Sequence, residues 1–238
     1  MNNEKSEGMS VGLSYKSLLV DPNYYMILVG NMVYILRRKT FIAWLGSGWP
    51  EWVASESDPS QFNQDINRLQ SIVSFSLLFV GLIPGFWLDF CRIWWRKQTN
   101  TYGDMIGLGS SYCICGVTMI VASILQAEQI ETAAYASVII HNIGRCFGVL
   151  WNPLYFYLFP VELYGFIFGS VSLVSQIFGL VNLPMLSYNT ANDDYAIMNY
   201  ILGGMISLIG IVAIACYRKY RSSLKPDQSN VSDNSTKL

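Results

Sequence analysis

Charge is scarce in this chain. Of its 238 residues, 13% are Asp, Glu, Lys or Arg, while 52% are hydrophobic. A water-soluble domain needs about 25% charged residues to cover its surface, and here the few charges are clustered rather than spread. There is one histidine, His141, so no His-rich metal or proton-relay set can be assembled. No Gly-Lys-Ser phosphate loop and no Ser–His–Asp set supported by context is present, and no catalytic residue is assigned. Net charge is −1, which gives no basic footprint for nucleic acid. Five cysteines are present, but Cys113-Ile-Cys115 is neither a zinc nor a redox spacing, and no second pair accompanies it. Cys91, Cys113, Cys115, Cys146 and Cys216 all lie in or beside apolar stretches and read as small packing residues. The sequence implies no cofactor and no metal. Met1 to Ser10 is polar, without the short apolar core of a signal peptide.

What fills the chain instead is long apolar runs. Leu69 to Leu88, Met105 to Ala127, Leu163 to Asn192 and Tyr195 to Tyr217 contain no charged residue. About 20 apolar residues span the hydrocarbon core as a helix, so each run is long enough. Two further stretches are apolar on both sides of an internal charge: about Tyr24 to Trp44, interrupted by Arg37-Arg38-Lys39, and about Ala133 to Phe159, containing Arg145. The expected architecture is all-α, with six transmembrane helices over 22–45, 67–90, 105–126, 133–158, 164–187 and 195–217. They form one bundle over 21–221, between a cytosolic N-terminal segment (1–20) and a disordered cytosolic tail (222–238).

The charges of the connections fit this count. With the N-terminus inside, the outer loops 46–65, 126–132 and 187–194 hold Glu51, Glu56, Asp58, Asp65, Glu128, Glu131, Asp193 and Asp194, with no Lys or Arg. The inner segments hold Lys5, Lys16, Arg92, Arg96, Lys97, Arg218, Lys219, Arg221 and Lys225; Arg68 is the exception at an outer edge. This positive-inside bias places both termini in the cytosol. Trp49, Trp52, Trp94, Trp95, Tyr217 and Tyr220 sit at span ends, where amphipathic rings favour the interface. Asn230 and Asn234 match the glycosylation pattern but fall on the cytosolic side and are expected to stay bare.

A guanidinium inside a membrane is costly and so points to function or to a partner. Arg145 lies deep in its span, and His141, Arg145 and Asn152 recur at helical spacing on one face. That face either looks into a wet solute pathway or makes a structural salt bridge between helices. The pathway reading takes in Arg37, His141, Arg145, Asn152 and Tyr155. Consecutive cations Arg37, Arg38 and Lys39 point about 100° apart and cannot share a narrow face, unless the helix breaks there. Gly85, Asp89 and Arg92 end the second span and suit a cytoplasmic latch; a plain basic inner loop explains them equally. Gly81-xxx-Gly85, Gly144-xxx-Gly148 and Gly165-xxx-Gly169 each permit close helix approach. Pro84, Pro153 and Pro184 are expected to bend their spans.

Phe159-Pro160-Val161-Glu162-Leu163-Tyr164-Gly165-Phe166-Ile167-Phe168-Gly169 resembles the F-P-x-E-x-F-G-x-x-x-G signature of solute carrier family 43. Arg145-Cys146-Phe147 with Asn152 resembles that family's R-S/C-F-L-Y-G-x-N run. Leu36-Arg37 with Phe41-Ile42 resembles its seventh span, and Gly85-xxx-Asp89 resembles the major facilitator motif after span eight. Arg92 stands two residues later than that motif's arginine, Arg38 and Lys39 are extra, and Phe166 replaces a small polar or cationic residue. The resemblance implies the C-terminal six-helix half of a major facilitator fold, in the plasma membrane, working with a missing N-terminal half or a second copy. It implies facilitative movement of large neutral amino acids by alternating access, or of purine nucleobases in one branch. Arg37 favours a solute with a carboxylate. The alternative is a non-transporting membrane protein that binds or regulates a full-length relative. The expected partners are lipid and a small solute.

Overall fold

The computed structural model describes residues 18–47, 58–94, 100–128, 130–150, 159, 161–192 and 195–223. These residues form helices and short turns, with no strand among them. Eight α-helices follow in order: α1 Pro22–Ser47, α2 Pro59–Val80, α3 Ile83–Trp94, α4 Asn100–Ala127, α5 Glu131–Gly148, α6 Tyr164–Phe178, α7 Asn182–Asn192 and α8 Tyr195–Ser223.

Two helices begin on the same Asp-Pro device. Asp21 Oδ1 accepts the Asn23 amide at 2.8 Å, and Asp58 Oδ1 accepts the Ser60 amide at 2.9 Å. Each carboxylate thereby satisfies an amide that the first turn leaves over, while proline at the first helical position gives up no bond. Interior prolines act as expected. Pro84 follows the turn at Gly81 and Leu82 that separates α2 from α3, and Pro184 follows the 3₁₀ turn Gly179–Val181 that separates α6 from α7. A proline lacks the N–H that the preceding turn needs, so the helix tightens or breaks just upstream. Pro153 lies outside the described residues.

Four stretches are long and apolar enough to cross a membrane: Ser60–Trp94, Ile106–Ala127, Val161–Tyr188 and Ala196–Ala215. They coincide with the four uncharged runs of the sequence. α1 and α5, which complete the expected six, are not in this set: α1 carries three consecutive cations, and the 18-residue α5 carries Glu131, His141, Asn142 and Arg145. The α2–α3 rod exposes Ile72, Phe75, Leu78, Phe79, Leu82, Phe86, Phe90 and Ile93, an apolar wall suited to lipid rather than water.

α4 is the central helix, packed against α3, α5 and α8. Its contact with α8 is a seam of small residues. A Cβ on Gly109 would lie 3.6 Å from Tyr217, one on Gly116 3.5 Å from the backbone of Gly210, and one on Gly203 3.4 Å from Ser123. Gly109, Gly116 and Ser123 step forward by seven as Tyr217, Gly210 and Gly203 step back by seven, which fixes the pair as antiparallel with a heptad repeat. α1 runs parallel to α6, joined by Tyr24 donating to Ser170 Oγ (2.9 Å) and Asn31 to Ser175 Oγ (3.0 Å).

The glycine pairs spaced by four behave differently from expectation. Gly144 and Gly148 do pack: added methyls would lie 2.6 Å from Thr118 Oγ1 and 2.7 Å from the Tyr34 ring. A Cβ added at Gly85, Gly165 or Gly169 would meet nothing within 4 Å, because their faces look outward. Cys91, Cys115 and Cys146 are buried free thiols.

Candidate functional site

α1 passes through Arg37-Arg38-Lys39 without a break, so the three cations radiate towards three different neighbours. Arg37 is fully buried. Its Nη2 donates to Gln126 Oε1 on α4 at 2.5 Å, and its Cζ lies 5.4 Å from the centre of the Phe41 ring. Phe41 in turn stacks on His141 of α5, centroids 3.7 Å apart and planes 8° apart. Arg37 Nε and Nη1, Gln126 Nε2 and both ring nitrogens of His141 are buried without a hydrogen-bond partner among the described residues. Buried polar atoms are normally paired, and a guanidinium with two idle donors is an exposed debt in any low-dielectric setting.

Arg38 points into a second space. A cavity of about 140 Å³ between α1, α2 and α5 is lined by Tyr34, Arg38, Leu77, Gly81, Arg145, Cys146 and Val149. Tyr34 and Cys146 are buried and form its floor; Gly81 and Val149 are exposed and form its mouth. Arg145 is held in place by a chain of bonds. Its Nη1 donates to Asn142 Oδ1 at 3.0 Å, Asn142 Nδ2 donates to Gln70 Oε1 on α2 at 2.9 Å, and Gln70 Nε2 donates to Ser74 Oγ at 3.1 Å. No carboxylate among the described residues lines the cavity. Among the described residues the one ion pair is Arg92 with Asp89, elsewhere in the molecule.

Lys39 goes to the third side. Its Nζ donates to the Gln176 carbonyl at 3.2 Å, just ahead of the 3₁₀ turn that starts at Gly179. Its stem lies over Gly179, where a Cβ would meet Lys39 Cδ at 2.8 Å.

Of the residues singled out in the sequence, Arg37 and His141 thus meet through Phe41, while Arg145 lines the neighbouring cavity with Arg38. Asn152, Tyr155 and Pro160 lie outside the described residues. Gly85, Asp89 and Arg92 are exposed on α3, and Arg92 Nη1 reaches Asp89 Oδ1 at 3.4 Å within that one helix. Arg96 and Lys97, the other cations suited to Asp89, lie outside the described residues. Phe159 is buried and Glu162 exposed in a 3₁₀ turn ahead of α6. Gln126 is the participant that sequence reasoning missed; an amide closing an otherwise apolar run was its one signal. Among the described residues no cluster of His, Cys, Asp and Glu suits a metal ion.

No protein-family model matches this chain, and no curated protein and no solved structure matches it.

Proposed function

We propose that the chain is a six-span membrane bundle equivalent to the C-terminal half of a major facilitator transporter. With a second half it moves large neutral amino acids by alternating access, with both termini in the cytosol and the plasma membrane as its site. The observation that carries this reading is Arg37. A guanidinium with two unmet donors is enclosed where α1, α4 and α5 meet, beside an idle amide and imidazole. A solute carboxylate is the group that such donors best satisfy. The likeness to solute carrier family 43 supports the same reading from the residues alone. Solute sites of this architecture lie near the midplane between two halves, so this bundle supplies one wall.

The test is co-expression with an N-terminal half from that family, followed by uptake of labelled leucine in competition with adenine. Leucine uptake that needs both halves, and that is lost in Arg37→Ala and Arg145→Ala, is expected. Adenine outcompeting leucine would transfer the reading to nucleobases. Saturable uptake by this chain alone would make a second copy the missing half. Absence of rescue, with co-purification of a full-length relative, would replace transport by a regulatory role.

A further inference from the structure

The cavity between α1, α2 and α5 sets Arg145, which the transport reading draws on, beside Arg38, which it leaves without a role. Two guanidiniums, Arg38 and Arg145, line one small space, and among the described residues no carboxylate lines it. Like charges brought together in a low-dielectric setting repel, and the arrangement persists only when an anion or water screens it. Arg145 is not free to swing away, because Asn142 and Gln70 hold it. Beyond Tyr34 and Cys146 at the floor, the remaining lining is apolar: Leu77 and Val149 flank the mouth, and Gly81 leaves it open for want of a side chain.

We propose that this cavity is a binding site for a small organic oxyanion. A carboxylate or phosphate monoester would lie between Arg38 and Arg145, with a short apolar body against Leu77 and Val149. Guanidiniums suit both groups, because their planar forks match two oxygens at once. A lipid headgroup offers the same chemistry. The level of the cavity argues for a soluble ligand: Leu77 lies near the middle of the uncharged Leu69–Leu88 run, about 12 Å of helix from one end and about 16 Å from the other, deeper than headgroups sit. The inference rests on reading α1 and α5 as the wall of a solute route, but it needs no second half.

The test is equilibrium binding to the full chain in phosphatidylcholine nanodiscs, with labelled benzoate as probe and benzamide as its neutral counterpart. Benzoate is expected to bind saturably and benzamide at least about tenfold more weakly, the scale of losing charge-assisted bonds. Arg38→Gln and Arg145→Gln should each weaken benzoate binding about tenfold, Arg38→Lys and Arg145→Lys less, and Arg92→Gln not at all. Thermal unfolding of each variant separates loss of the site from loss of the fold, and the lysine variants carry the test should the glutamine variants unfold. Equal binding of benzamide, or benzoate binding untouched in the arginine variants, overturns the proposal. A parallel preparation containing phosphatidylglycerol distinguishes the source. Retention of that lipid by the chain but not by Arg38→Gln, without benzoate binding, overturns the soluble ligand in favour of a headgroup. Rescued leucine uptake with no benzoate binding would strike this site alone; benzoate binding without uptake would strike the transport reading alone.

Discussion

His141 lies flat on Phe41, ring centroids 3.7 Å apart, with both imidazole nitrogens buried and unpartnered among the described residues. As the protein stands, the ring is used for its shape. His141→Phe should therefore leave thermal unfolding in detergent unchanged or raise its midpoint, since the stack survives and two idle polar atoms are removed. His141→Ala should cost about 3 kcal/mol through the cavity it opens. Loss of rescued uptake in a stable His141→Phe variant would mean that the ring nitrogens meet the solute.

The bond from Arg37 to Gln126 is the one hydrogen bond of that guanidinium among the described residues. Gln126→Leu strands the cation and should destabilise by about 1–3 kcal/mol. Combining it with Arg37→Met removes the stranded group, and the double variant should recover much of the loss. A double-mutant cycle read by thermal unfolding checks the sign. Additive losses would show that the two side chains act separately.

Glycines of identical spacing should respond in opposite ways. Gly148→Ala drives a methyl to 2.7 Å from the Tyr34 ring and should cost about 1–3 kcal/mol. Gly165→Ala and Gly169→Ala meet open space and should stabilise α6 by about 0.5–1 kcal/mol through lower chain entropy. Unfolding midpoints of the three variants, compared with the unsubstituted chain, decide it.

At the start of α2, Ser60 donates through both its hydroxyl and its amide to the Asp58 carboxylate, and these bonds hold that carboxyl below its usual range. The folded value lies below the unfolded one. The cap therefore contributes in full above the ordinary aspartate range, and fades as pH falls through the depressed folded value. The protection of the first turn of α2 against hydrogen exchange, taken relative to the intrinsic rate at each pH, should fall on acidification, and Asp58→Ala should lower it at neutral pH to a similar level. An acid response unchanged in that variant would assign it to another group.

How much of this was legible in the sequence differs from element to element. The four uncharged runs became the four apolar stretches, because the length needed to cross lipid is written directly as residue count. α2 begins about ten residues before the run at Leu69, since its polar opening turns still bury Phe62 and Ile66 against α1 and α5. The destinations of Arg37, Arg38 and Lys39 were not legible: spacing says that they diverge, but only the arrangement of α4, α2 and α6 around α1 says where each goes. The α4–α8 seam was legible at a period of seven, from Gly109, Gly116 and Ser123 against Gly203 and Gly210. A search at a period of four finds Gly144 and Gly148, which pack, but also Gly165 and Gly169, where an added Cβ would meet open space.

The unbroken course of α1 through three cations bears on how the chain is made. At the centre of a lone helix each Lys or Arg adds about 3 kcal/mol to the work of leaving the translocon for lipid. The partners that receive these side chains here are Gln126, the cavity beside Arg145, and Gln176, all synthesised at least 79 residues later than Ser47. On the proposed six-span reading, α1 therefore leaves the ribosome ahead of the groups that receive its cations, and its entry into the bilayer is tied to the arrival of α4, α5 and α6.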